Sequence, residues 1–165
     1  MGATTILSEF ASQTRLAGIS TEALAATKRH ILDCTGVGLA ATVEPAGRIV
    51  MDMTREQGGT PQARVLGCNL RTSAVSAAWA NGALAHLPDF DDTGFSHPTA
   101  CILPATLAMA EEAGASGADV VAAAGSIVRL NPGQMAVAIR AAAAICARLM
   151  PRADCLRRTA SSSTT

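Results

Sequence analysis

Apolar residues recur at helical spacing along most of this chain, and a glycine or a proline ends nearly every run. The first run begins at Ile6 and ends at Gly18, and the second follows a cap at Ser20 or Thr21. Recurrence at i, i+3, i+4 and i+7 predicts amphipathic helices, and Gly and Pro mark their ends. The second helix is expected to bury a stripe formed by Leu24, Ile31, Leu32, Thr35 and Leu39.

The same signals predict helices along the rest of the chain. These begin at Pro45, at Thr72 or Ser73, near Thr99 and at a capping box of Ser116 and Asp119, and they end at Gly58, Pro88 and Gly114. Residues 64–67 are expected to form an extended connector. A further helix is predicted over residues 135–150, and the low-complexity residues 159–165 are expected to be disordered.

The residue composition agrees with a helical protein. Hydrophobic residues, chiefly alanine, make up 49% of the chain, whereas aromatic residues make up only 2% and tyrosine is absent. Cores of Ala and Leu are typical of close-packed helices, while strands prefer Val, Ile, Tyr and Phe. We therefore expect an all-α, bundle-like fold with Trp79 in its core and close helix contacts at Gly36, Gly38 and Gly82.

Charged residues are balanced overall but unevenly placed. Residues 1–124 carry 7 basic and 12 acidic side chains, whereas residues 125–165 carry 6 arginines and one acid, Asp154. A basic segment can mark a nucleic-acid tail, but these arginines are dispersed and no aromatic residue lies among them. We expect no nucleic-acid partner.

The five cysteines are spread along the chain without a C-x-x-C pair. This spacing argues against a zinc ribbon or a locally ligated iron–sulfur cluster, and it is typical of reduced thiols in a cytoplasmic protein. No basic segment with a long apolar run opens the chain, and the alanines at 141–144 are too few to cross a membrane. We expect a cytoplasmic protein with no membrane partner.

A polar cluster between Asn81 and Pro98 stands out in this weakly charged chain. It contains His86, Asp89, Asp91, Asp92, Thr93 and His97. Burial of a charged group costs free energy unless the group is paired. Charged groups are therefore expected in solvent, in pairs or in functional sites. The cluster is therefore either a solvated loop or a functional site, and the residues alone leave both open. His86, at a helix end, is more simply interpreted as a structural histidine than as a catalyst.

An Asp-rich helix end also invites comparison with the Mg²⁺–diphosphate sites of all-helical prenyl-transfer enzymes. Those sites need carboxylates spaced so that they lie on one helical face. The segment from Asp91 to Phe95 has no acid from its fourth position onward. The sequence therefore predicts no metal site.

Four segments of the chain resemble the N-terminal part of the MmgE/PrpD family, in the family's order. They are KRHILDCTGVGLA at residues 28–40, AAWANGALAH at 77–86, DFDDT at 89–93 with His97-Pro98, and LPATLAMAEE at 103–112 with GASG at 114–117. The resemblance implies a mostly helical domain, a smaller α/β domain, a homodimer and no cofactor. It further implies a lyase for a small anionic di- or tricarboxylate, with 2-methylcitrate dehydration as the leading expectation.

The resemblance also implies roles for five residues. Asp89, Thr93 and His97 match positions expected to be catalytic, and Asp92 and Thr99 are expected to contact the substrate. His97 would move a proton, Asp89 would orient an imidazole or a lysine, and Thr93 would donate to a substrate carboxylate. The helix starting near Thr99 would direct its N–H groups toward the same anion.

The chain departs from the family pattern at Pro88, in the short loop before His97, and above all after residue 124. Residues 125–165 are arginine-rich and lack the segment with which the family continues. We interpret residues 1–124 as a partial helical domain without the α/β domain, and residues 125–165 as a divergent segment. A frameshift is one hypothesis for it, which the gene's reading frames test. The alternative to an active lyase is a non-catalytic truncated helical fragment or interaction module.

Overall fold

The computed structural model describes Phe10, residues 13–90 and residues 97–128, except the side chains of residues 127 and 128. A 3₁₀ turn at Leu16–Gly18 precedes the helices α1 (Thr21–Ala41), α2 (Pro45–Gln57), α3 (Ala74–His86), α4 (Pro98–Ala113) and α5 (Gly117–Val128). Strands β1 (Ala63–Arg64) and β2 (Arg71–Thr72) form a small antiparallel hairpin. The predicted all-α fold is confirmed. Among the described residues, no helix combines the length and apolarity that crossing a membrane requires.

Local signals place the ends of α1 to α5 close to the predicted positions, whereas the helix predicted to end at Gly18 is wrong over residues 14–18, where Thr14 and Arg15 are non-helical and a 3₁₀ turn follows. The hydroxyls of Ser20 and Ser73 cap α1 and α3 by accepting a hydrogen bond from a backbone N–H in the first turn. Gly114 ends α4 in a left-handed conformation with φ 63°, which a residue without Cβ adopts without strain. The capping box is reciprocal, because Asp119 N donates to Ser116 Oγ (3.3 Å) and Ser116 N donates to Asp119 Oδ2 (3.1 Å).

Helix α3 lies at the centre of the array. It packs most extensively on α4 and also contacts α1, α2 and the hairpin. Its buried residues are small for the most part, namely Ala74, Ala77, Ala80, Asn81, Leu84 and Ala85. Small side chains let helices approach closely, and a Cβ added to Gly82 would lie 3.2 Å from the carbonyl oxygen of Ala100 in α4. The close contact expected at Gly82 is confirmed, and it holds the end of α3 beside the start of α4.

The buried face of α1 differs from the predicted stripe. Leu32 and Leu39 are 76% and 45% exposed, and the buried positions are Thr27, Cys34, Val37, Gly38 and Ala41. Small residues on this face let α1 approach its neighbours, since a Cβ on Gly38 would lie 3.1 Å from Leu66 Cδ1. The contact predicted at Gly38 is confirmed, whereas the one at Gly36 is wrong, because Gly36 faces open space.

The expectation that Trp79 belongs to the core is also wrong. Trp79 is 51% exposed and lines an open groove of about 450 Å³ together with Met53 and Val75. Ala77 and Ala80 fill the inward face of α3, which leaves Trp79 on the outward face. The groove between α2 and α3 is therefore an exposed apolar surface of the described structure.

Candidate functional site

The end of α3 and the start of α4 bring polar side chains together. His86 is the last residue of α3, and His97 is the residue just before α4. Pro88 cannot continue a helix, so α3 must end before it. Pro98 takes the first position of α4, where the helix needs no backbone N–H donor. Two prolines in the sequence thus set the two helix ends that carry the histidines.

Asp89 turns the chain at the end of α3. Its backbone adopts a left-handed conformation with φ 50°, and its N–H donates to the carbonyl oxygen of His86 (3.0 Å). Few residues other than glycine occupy this region, and aspartate is among those that tolerate it best. The turn keeps the Asp89 carboxylate near the last turn of α3.

The three side chains form what we call the His86–Asp89–His97 cluster. The rings of His86 and His97 are 4.4 Å apart between centroids and meet edge to face at 60°. His97 Nε2 lies 4.0 Å from Asp89 Oδ1. The Asp89 side chain is 82% exposed and that of His97 is 38% exposed. A polar contact this open contributes little to stability.

Thr99 lies in the first turn of α4 and is half-buried. It lines a narrow cavity between α1, α4 and α5, together with His30 and Ile102 among others. The volume of about 30 Å³ suits one or two water molecules and is too small for a tricarboxylate. Outside this cavity the cluster opens to solvent beside the positive end of the α4 dipole, which favours an anion.

The structure describes three of the five predicted site residues. Asp89 and His97 come together, and Thr99 lies two residues beyond His97 on the first turn of α4. Thr93 and Asp92 lie in residues 91–96, outside the described residues. Their roles stay predictions.

His86 joins the pair of predicted site residues, because its ring contacts that of His97. This contact is absent from the sequence-based expectation, and the interpretation of His86 as a structural histidine stays a prediction. The sequence signal that places His86 near Asp89 is their spacing of three residues. Pro88 lies between them, ends the helix and makes the chain turn. A side chain in the last helical turn and one in the turn after it lie on the same side of the chain.

Comparisons with known proteins cover this same region. The model of the MmgE/PrpD N-terminal domain matches residues 5–126, which include the whole α3–α4 junction. The cis-aconitate decarboxylase of Homo sapiens is 33% identical to the chain over 88 residues, which make up 52% of this chain and 18% of that protein. The similarity thus spans less than a fifth of the relative's own length.

Proposed function

The chain belongs to the MmgE/PrpD family, and we propose on this basis that it carries the histidine–aspartate part of a lyase site for a small di- or tricarboxylate. Dehydration of 2-methylcitrate is the leading reaction. The observation that supports the proposal is the approach of His97 to Asp89 and His86 at the α3–α4 junction. This junction lies within the family match.

Dehydration removes a proton from one carbon and a hydroxyl group, which leaves as water, from its neighbour. An imidazole suits this task because it gains and loses a proton near neutral pH. Asp89 Oδ1 lies 4.0 Å from His97 Nε2 and would accept a hydrogen bond from that nitrogen after a small closing movement, which orients the ring and stabilises its protonated form. His97 would then move the substrate's proton at its other ring nitrogen, Nδ1.

The substrate's carboxylates need donors as well as a proton carrier. Thr99 and the N–H groups of the first turn of α4 would hold one carboxylate at the positive end of that helix. Thr93 and Asp92, which lie outside the described residues, are also proposed to contact the substrate. In this mechanism the reaction proceeds without a prosthetic group, and the homodimer implied by the resemblance stays a prediction.

Turnover by the purified full chain tests the proposal. The chain is incubated with 2-methylcitrate or with cis-aconitate, and product is measured by NMR. We expect turnover that falls about 10²–10⁴-fold in His97→Ala, because that variant loses the group that transfers the proton. Asp89→Asn should also lose activity, whereas Asp33→Asn, which alters an exposed carboxylate on α1, serves as the matched control. Turnover that survives His97→Ala unchanged would contradict the role of the imidazole.

The second candidate is a non-catalytic helical module. The exposed apolar groove formed by Met53, Val75 and Trp79 favours it, because contiguous apolar surface on a protein commonly marks a contact surface. The same assay separates the two candidates. Absence of turnover with both carboxylates, from a chain that retains its helical circular dichroism, would favour the module.

A further inference from the structure

We propose that an open pocket at the end of the β1–β2 hairpin binds a small oxyanion, namely a phosphate or a carboxylate group of a metabolite. The pocket has a volume of about 580 Å³, which is within the range of small-molecule sites. We call it the hairpin pocket, and it is lined by Arg64, Gly67, Cys68, Asn69, Leu70 and Arg71. None of these residues belongs to the α3–α4 junction, so the proposal does not require the chain to be a lyase.

Two arginines give the hairpin pocket its charge. Arg64 and Arg71 are paired directly across the two strands. Like charges in this arrangement repel each other unless an anion lies near both. The protein supplies one carboxylate, since Glu111 Oε2 lies 3.9 Å from Arg64 Nε and 3.4 Å from Arg71 Nη1. Two positive charges and one negative charge leave the group positive, and a bound oxyanion would neutralise the remainder.

The two arginines have different tasks in this site. The guanidinium of Arg71 donates to the carbonyl oxygens of Pro61 (3.2 Å) and Gln62 (2.9 Å), so the backbone holds it in place. The guanidinium of Arg64 makes no hydrogen bond within the described part of the chain, and its side chain is 72% exposed. A guanidinium is a planar fork of five N–H donors that matches two oxygens of one phosphate or carboxylate. Arg64 is therefore the residue that would bind the oxyanion.

The turn beside Arg64 is fixed without use of all its own donors. Leu66 N donates to Asn81 Oδ1 (2.8 Å), and Asn81 Nδ2 donates to the carbonyl oxygen of Arg64 (2.9 Å). Among the described residues, the backbone N–H groups of Gly67 and Asn69 have no acceptor. Backbone N–H groups in turns form concavities that bind anions. Because α3 already holds this turn, little conformational freedom is lost when an anion binds.

The positive charge of the hairpin pocket is local. Residues 1–124 carry 7 basic and 12 acidic side chains, yet the pocket has two arginines and, among the described residues that line it, no carboxylate. A cleft lined by one sign of charge raises the local concentration of ligands of the opposite sign. The fold thus places a site that selects anions on a domain whose net charge repels them.

Titration of the ¹⁵N-labelled full chain with inorganic phosphate, followed by NMR, tests the site. Ionic strength is kept constant, because salt screens exposed charges. We expect saturable shifts of the Gly67 and Asn69 amides with a dissociation constant of about 1 mM. Arg64→Gln removes the guanidinium fork and should weaken binding at least about 10-fold, because a hydrogen bond to a charged group is stronger than one between neutral groups. Circular dichroism checks that the variant is folded.

Arg55→Gln is the matched control for Arg64→Gln. Arg55 is an exposed arginine on α2 that pairs with Asp52, so its replacement changes the net charge of the chain equally. This variant should bind phosphate as the unmodified chain does. Equal affinity in the two variants would overturn the proposal, because it would mean that only the overall charge attracts the anion.

Titrations with acetate and citrate distinguish the two sources of the oxyanion. Tighter binding of phosphate would assign the hairpin pocket to phosphorylated ligands, and tighter binding of citrate would assign it to carboxylates. Shifts of the same size with sodium chloride, or no saturation by about 10 mM phosphate, would overturn the proposal. The Gly67 and Asn69 amides report on this pocket alone, whereas turnover reports on the α3–α4 junction, so failure of one proposal is distinguishable from failure of the other.

Discussion

Replacement of Asn81 by alanine should destabilise the protein by detaching the hairpin from α3. Asn81 is 3% exposed, its Oδ1 accepts from Leu66 N (2.8 Å), and its Nδ2 donates to the carbonyl oxygen of Arg64 (2.9 Å). Both partners are backbone groups 15 and 17 residues earlier in the chain. A single amide side chain thus satisfies one donor and one acceptor of the hairpin.

The expected loss follows from these two contacts. A hydrogen bond contributes about 1 kcal/mol net, and a buried group left without a partner costs about 1–3 kcal/mol. Val65, between the two backbone partners, is 1% exposed, so water reaches this part of the hairpin poorly. We expect Asn81→Ala to lower the free energy of unfolding by about 2–4 kcal/mol. At roughly 4 °C per kcal/mol for a domain of this size, the melting temperature should fall by about 8–16 °C.

Urea unfolding followed by circular dichroism measures the free energy, and hydrogen exchange at the Leu66 amide reports the lost contact directly. Asn69→Ala is the matched control, because Asn69 is an exposed asparagine of the same hairpin and its replacement should change stability by no more than about 0.5 kcal/mol. If Asn81→Ala were as stable as Asn69→Ala, with an equally protected Leu66 amide, the reasoning would be refuted.

Three further predictions concern packing. Gly47→Ala should lower the free energy of unfolding by about 3 kcal/mol, because the added Cβ would overlap the backbone carbonyl of Ala41. Gly36→Ala, in open space on α1, should raise it by about 0.5–1 kcal/mol through helix propensity, and equal urea midpoints for the two variants would contradict both assignments. Trp79, the chain's single tryptophan, should show the red-shifted emission of an exposed indole and strong acrylamide quenching; a blue-shifted, unquenched signal would mean that this face is covered in solution.

The helices and their ends could be predicted from the sequence because their signals are local. A Ser20 or Ser73 hydroxyl caps a helix through a backbone N–H three residues away, and Pro88 and Gly114 stop helices by their own backbone properties. None of these interactions depends on the position of another helix. The caps and breaks of α1 to α5 therefore appear in the structure as the sequence indicates.

The choice of buried faces could not be predicted in the same way. Apolar side chains project from several sides of α1 and α3, so periodicity alone is compatible with more than one buried face. The packing places Cys34 and Ala77 inside and leaves Leu32 and Trp79 outside.

The candidate site shows the same division. The sequence by itself determined that His86 ends one helix, that His97 precedes another and that Asp89 lies in the turn between them. Only the tertiary structure decided that the two rings meet 4.4 Å apart, with a carboxylate beside them. The physical reason is that this distance depends on how closely α3 packs on α4 near Gly82. Helix packing of this kind depends on two helix surfaces that meet only when the chain folds.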